Sequence, residues 1–189
     1  MSTWTSVDCG GRPPSISVAP IEIDADAGAL PFGNDAGGFS TNSLRFFDTV
    51  WPHDPSAIAL TTVRYGLESG RIVTADIEAN AVEHELTVVD MGGDFDLQSV
   101  LTHEAGHFFG LAHVIERPAT MFAAYAGGGN IDRRTLEESD RQGICAAYPP
   151  NRFDGGSSGC SCSLGGARPT HVFAWLAIAA LALLRRRGR

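Results

Sequence analysis

Read only for where apolar and polar residues fall, the chain is strand-like in its first half and helical from its middle onward. Ser15-Ile16-Ser17-Val18-Ala19 alternates polar and apolar residues, the period of a strand with one buried face. Residues 24–43, rich in Asp, Gly and Asn, predict a loop. Leu44 to Trp51 fits two periods: Leu44, Phe47 and Trp51 suit a helix, while Leu44, Phe46 and the following Pro52 suit a short strand, which is the preferred reading. Ala57 to Tyr65 is rich in β-branched residues and predicts a strand that Glu68-Ser69-Gly70 turns back. Ile72 to Asn80 predicts the next strand, with Ile72, Ala75, Ile77 and Ala79 apolar, and Glu85 to Val89 a short edge strand.

The period then changes. Met91-Gly92-Gly93-Asp94 leads as a loop to Asp96, a helix N-cap, followed by the apolar stripe Leu97, Val100, Leu101 and Phe108. Val114 to Tyr125 shows no regular period, and Ala126 to Asp132 reads as a glycine-rich loop. Leu136 to Tyr148 predicts a second helix, with Leu136, Ile144 and Tyr148 on its buried face and Pro149-Pro150 stopping it. Met1 to Asp8 is too short for a helix with its own start. These elements divide the chain into a domain over 1–150, a Gly/Ser/Cys linker over 151–169 and a terminal segment over 170–189. That segment holds an apolar run from Val172 to Leu184 and ends Arg185-Arg186-Arg187-Gly188-Arg189. The run is shorter than the roughly 20 residues of a stable membrane span.

Composition narrows the function classes. A chain of 189 residues can bury one sizeable core. The net charge is −8 and no basic patch precedes the last residues, so nucleic-acid binding has no footprint. Residues 1–20 hold no apolar run after a basic start, so no secretory signal is visible. The four cysteines are Cys9, Cys145, Cys160 and Cys162, a spacing unlike a cysteine-type zinc site.

The candidate chemistry lies in His103-Glu104-Ala105-Gly106-His107-Phe108-Phe109-Gly110-Leu111-Ala112-His113. Positions four apart share a helix face, so His103 and His107 can aim two imidazoles at one ion. Gly110 can adopt a positive φ, ending the helix and bringing His113 back as a third ligand. Three protein ligands and an open position describe a catalytic zinc rather than a closed structural one. Glu104 stands beside the first ligand, where a carboxylate can act as a general base toward water.

These residues resemble the matrixin branch of the metzincin zinc peptidases, whose signature is this motif followed by a Met-turn. Met121 lies eight residues after His113, the matrixin distance, and Thr120-Met121-Phe122 resembles the family's Leu-Met-Tyr step. Tyr125 matches the tyrosine that walls the specificity pocket. Leu136 to Tyr148 resembles the family's last helix, and Ala75-Asp76-Ile77 resembles its third strand. Trp4-Thr5-Ser6-Val7 resembles the end of its first helix, which implies that most of that helix, with any propeptide and signal sequence, precedes Met1 in the full protein.

The resemblance implies an α+β metzincin fold, with a twisted, mostly parallel sheet packed on the active-site helix and a C-terminal subdomain holding the Met-turn and last helix. It implies a zinc-dependent endopeptidase acting on protein or peptide substrates outside the cell. In that reading His103, His107 and His113 hold zinc, Glu104 is the general base, Met121 floors the site, and Gly110 and Asp140 support it. An extended substrate would lie along Glu85–Val89. Calcium is a candidate at the acidic loops Asp24–Asp26 and Asn34–Asp35, but their ligand set is incomplete and solvated loops are the preferred reading. His53 and His84 are isolated, so the family's structural-zinc pattern is missing, and Ala123 replaces its pocket-wall proline. Cys9 has two readings, a disulfide with Cys145, which is preferred, or a Cys9-Gly10 latch resembling the family's cysteine switch. Cys160-Ser161-Cys162, the apolar run and the terminal arginines together resemble the MYXO-CTERM sorting signal of myxobacterial surface proteins, which implies export, membrane attachment through the tail and processing near the cysteines. The alternative reading is a catalytically idle zinc-binding or adhesion module at the cell surface.

Overall fold

The strands form around the most buried strand of the described residues. The computed structural model describes residues 1–18, 42–88 and 93–150. Strand β3, Ile72–Asn80, is the middle of a three-stranded sheet. β1, Ser43–Phe47, pairs with it in parallel, with Leu44 opposite Ile77. β2, Ala59–Tyr65, pairs with it antiparallel, with Thr61 opposite Ile77, and is one of the two outer strands of this sheet among the described residues. A small second sheet joins β4, Leu86–Thr87, in parallel to β5, Phe95–Asp96. Among the described residues two of the three strand pairings are parallel, but the three-stranded sheet itself has one parallel and one antiparallel pair.

Alternation along β3 gives its faces opposite chemistry. Ala75, Ile77 and Ala79 are buried on the side that Thr61 shares. Thr74, Asp76, Glu78 and Asn80 are buried on the other side, where a polar group needs a partner. Asp76 accepts from the Ser43 N–H and hydroxyl at 3.0 and 2.6 Å. Glu78 meets His53 Nε2 at 2.9 Å. Asn80 donates to the Ala57 carbonyl and accepts from the Val82 and Glu83 amides, closing the turn after β3.

Helix α2, Leu97–Phe108, packs across β2 and β3. Asp96 caps it as expected, accepting from the Ser99 N–H at 2.8 Å. Arg134 forks onto the same carboxylate at 3.0 and 2.6 Å. Burial pushes the Asp96 carboxyl upward, but Arg134 and Ser99 together hold it below its ordinary value. The expected stripe misplaces the buried face. Leu97, Leu101 and Phe108 are only half-buried, while Ser99, Val100 and Thr102 through Gly106 are inside. Small residues win these positions because the sheet and a short helix approach closely there.

That short helix, α1, spans Ser2–Thr5. Its Trp4 is fully buried and donates Nε1–H to the Thr102 carbonyl at 2.8 Å. With Val7, Ala105, Phe109, Met121, Leu136 and Ile144 it forms the core beneath α2. Gly106 is glycine because nothing larger fits: a Cβ there would lie 2.2 Å from Met121 Sδ and 2.8 Å from Trp4 Cζ2. Met121 can swing away, but Trp4 is held by its hydrogen bond. Gly106→Ala should therefore cost about 1–3 kcal/mol and lower the thermal midpoint by roughly 2–12 °C, measurable by calorimetry. An unchanged midpoint would contradict this packing.

Two sequence expectations are corrected. Ser15–Val18 is not a strand. It follows Pro13-Pro14, and the Ser15 N–H donates to the Tyr148 carbonyl at the end of α3, Glu138–Ala147, so its backbone meets a helix end rather than a strand. The last helix starts two residues later than Leu136, because Glu137 and Asp140 cap each other's backbone reciprocally. The acidic loops at Asp24–Asp26 and Asn34–Asp35 lie outside the described residues, as do Cys160, Cys162 and the whole tail.

Candidate metal centre and cleft

The three histidines meet because α2 stops where it does. Gly110, at φ +84°, follows the C-cap Phe109. Its N–H reaches the His107 carbonyl at 2.7 Å, and the Leu111 N–H reaches the Gly106 carbonyl at 3.0 Å. These are the paired bonds of a Schellman ending, which reverses the chain. The reversal brings His113 Nε2 to 3.0 Å from His107 Nε2 and 3.2 Å from His103 Nε2.

The other ring nitrogens fix what those Nε2 atoms offer. His103 Nδ1 lies 2.6 Å from the Thr120 carbonyl, and His107 Nδ1 lies 2.8 Å from the Leu111 carbonyl. A carbonyl only accepts, so each Nδ1 carries the proton and each Nε2 presents a lone pair. Lone pairs crowded together in this way call for a cation between them. Tetrahedral zinc with bonds of about 2.0–2.1 Å sets ligand nitrogens about 3.3 Å apart, close to the separations found. Among the described residues this is the one cluster of three or more such ligands. Burial pushes His103 down to about 4, with the neighbouring His107, Arg133 and His113 adding to the effect and the Thr120 carbonyl opposing it. His103 thus stays neutral and ready to ligate across the ordinary range.

Glu104 is buried beside this cluster. The Thr61 hydroxyl on β2 donates to its Oε2 at 2.5 Å. Burial raises the Glu104 carboxyl, and the bond from Thr61 works against that. No local pattern in the sequence pointed to Thr61, which lies 43 residues from its partner.

Behind the ligands, Met121 is buried against Gly106. The turn that carries it hangs on Asp140, whose carboxylate accepts from the N–H groups of Thr120, Met121 and Glu137 at 2.8, 3.0 and 2.9 Å. The same Thr120 gives its carbonyl to His103, so Asp140 orients the first histidine through one intervening residue. In Asp140→Asn the side-chain amide would face backbone donors with a donor of its own. We expect zinc affinity to fall by about 10–100-fold, read by competition against a chromophoric chelator. Native affinity in this variant would remove Asp140 from the orientation of His103.

Tyr125 stands with its ring centroid 6.0 Å from that of His103, half-buried, and Arg133 Cζ lies 4.0 Å over its ring. Cys9 and Cys145 form a disulfide, so Cys9 is not a free thiol available to the histidines. His53 and His84 stand apart from the cluster, His53 on Glu78 and His84 edge-on to Phe95.

An open cleft of about 990 Å³ runs past the cluster. Leu60, Thr61, Val63 and Tyr65 of β2 line one side, and His103, Glu104, His107 and His113 lie in it. The expected substrate strand, Glu85–Val89, is not part of this wall: its Leu86–Thr87 pairs with β5 instead. The edge that faces the cleft is β2.

The family model for matrixin, peptidase M10, matches residues 48–149. Metalloendoproteinase 5-MMP of Arabidopsis thaliana is 45% identical over 65 residues, 33% of this chain and 17% of that protein. Interstitial collagenase of Bos taurus is 37% identical over 59 residues, 31% of this chain and 12% of that protein. The aligned stretches thus span less than a fifth of either relative.

Proposed function

This chain belongs to the matrixin family, and from that premise we propose that it is a zinc-dependent endopeptidase hydrolysing peptide bonds in extracellular proteins. The observation that carries the reading is the convergence of three imidazole Nε2 atoms beside an intact, buried Glu104. His103, His107 and His113 would hold the metal, with Gly110 shaping the return of the third. Zinc, when bound, would supply Lewis acidity to the scissile carbonyl and to water. Glu104 accepts a proton from the attacking water and passes it to the leaving amine. Thr61 holds the carboxylate in place for both transfers. Met121 floors the site, Tyr125 walls the pocket, and Asp140 supports the turn between them. An extended peptide would lie along the outer edge of β2, where main-chain hydrogen bonds fix its register irrespective of sequence.

Within the same reading, 1–150 is the catalytic domain, 151–169 a linker, and 170–189 a sorting and anchor segment processed near Cys160 and Cys162. On this reading the protein would be displayed at the cell surface. Surface labelling, with the mass of the mature C-terminus, checks that placement, and an uncut intracellular chain would refute it.

The test of the activity is removal of the metal. The full chain should digest denatured casein, lose that activity on dialysis against a zinc chelator, and recover it with about one equivalent of zinc. Digestion that continues in the stripped protein would overturn the proposal.

A further inference from the structure

The β2–β3 hairpin carries apolar residues that the fold does not bury. Thr61, Val63 and Tyr65 alternate onto one side of β2, the side on which Thr61 meets Glu104. Across the ladder Arg64 lies opposite Thr74 but Tyr65 lies opposite Ile72, so β3 takes two steps where β2 takes one. That is a β-bulge, a device that re-aims side chains beside active sites. Without it Ile72 would fall on the opposite face, with Thr74 and Asp76. With it Ile72 joins Tyr65, and both line the cleft that holds the histidines.

These side chains stay open to the cleft. Tyr65 is 59% exposed and Ile72 36%. Ile72 Cδ1 lies 3.1 Å from where a Cβ on Gly110 would stand, so the hairpin rests on the turn that returns His113. Leu111 on that turn and Tyr148 after α3 line the same cleft. The Tyr148 hydroxyl donates to the Phe109 carbonyl at 3.0 Å, which leaves its ring to face a ligand. Apolar surface gathered in a cleft, rather than scattered singly, marks a binding site. Strand β2 then sets distance and direction. Tyr65 lies four residues beyond Thr61, about 13 Å along the strand. A peptide pairing antiparallel with β2, the more stable of the two ladders, runs the opposite way, so the residues before its scissile bond lie toward Tyr65.

We infer that Tyr65, Ile72, Leu111 and Tyr148 form a distal subsite for a large apolar side chain about four residues before the scissile bond. This rests on the reading of the site as a peptidase whose substrate lies along β2. Seating such a side chain takes apolar surface of both partners out of water, whereas a polar one loses hydration and gains no partner. Arg71 lines the same end of the cleft and is exposed, so like charge disfavours Lys or Arg there. The selectivity belongs to this chain's own hairpin and its bulge.

The test uses fluorogenic peptides built on one cleavage site mapped in denatured casein. Leu, Ser or Lys is placed at the third, fourth or fifth residue before the scissile bond, and in a control set at the same places after it. We expect kcat/KM with Leu to exceed that with Ser by about tenfold at one of the places before the bond, with Lys no better than Ser. Tyr65→Ser should bring the Leu-to-Ser ratio to about two or below, and Ile72→Thr should lower it. If the variants do not fold, the native ratio alone decides. Casein digestion with a ratio near one, with the preference only after the bond, or with the native ratio kept in both variants would overturn the subsite and leave the peptidase reading standing. Digestion of neither casein nor any peptide would overturn both.

Discussion

Glu104→Gln should lower kcat for peptide cleavage by about a thousandfold while the protein stays folded and keeps its zinc. Gln has the volume of Glu, and its amide oxygen can still accept from the Thr61 hydroxyl, so the contact with β2 survives. The position also tolerates loss of charge. Burial already pushes the Glu104 carboxyl upward, which means that the neutral form suits its surroundings. What Gln lacks is the ability to take a proton from water and return it to the amine. The loss should therefore fall on kcat, with KM changed little, the signature of an interaction made in the transition state rather than in substrate binding. Zinc content by mass spectrometry and the thermal midpoint serve as controls. A variant that cleaves within about tenfold of native would remove Glu104 from the chemistry. Equal zinc with no activity would also separate an enzyme from an idle zinc module, since an idle module has no activity to lose.

The parts of this site that sequence revealed are those whose partners lie a few residues away. His103 and His107 are one helical turn apart, Gly110 closes that helix, and Asp96 opens it. Such spacings are fixed by helix geometry and survive without tertiary knowledge. Thr61 and Arg133 are different. Thr61 reaches Glu104 only because β2 takes the outer place beside β3, and strand order is not written in the strand itself. For the same reason the cleft wall was expected at Glu85–Val89, a segment that looks equally like an edge. Arg133 follows a glycine-rich loop with no period, and one arginine there resembles any solvated one. The buried side of α2 was also misjudged, for a physical reason. Leu97, Leu101 and Phe108 have the greater hydrophobicity, but Ser99, Ala105 and Gly106 have the shape that close packing against Trp4, Met121 and the sheet requires.

Replacing Cys9 and Cys145 together with Ser should produce a large loss of stability. The disulfide joins residues 136 positions apart, so in the unfolded chain it closes a very long loop. On the chain-entropy model that constraint is worth up to about 5 kcal/mol, and natural disulfides of small domains commonly contribute about 2–5 kcal/mol. For a domain of this size the thermal midpoint should fall by roughly 5–20 °C. Packing partly limits the loss. Cys9 and Cys145 both lie against the core of Trp4, Val7 and Ile144, and Trp4 keeps its bond to Thr102 whether or not the crosslink is present. The N-terminal segment should thus stay docked at low temperature and detach first on warming, seen as early proteolysis before the main transition. A phosphine reductant should lower the native midpoint by a similar amount and leave the double Ser variant unmoved, which separates loss of the crosslink from any effect on zinc. If native and variant proteins melt together under oxidising conditions, the crosslink does not constrain the fold, and the core around Trp4 must hold the N-terminal segment by itself.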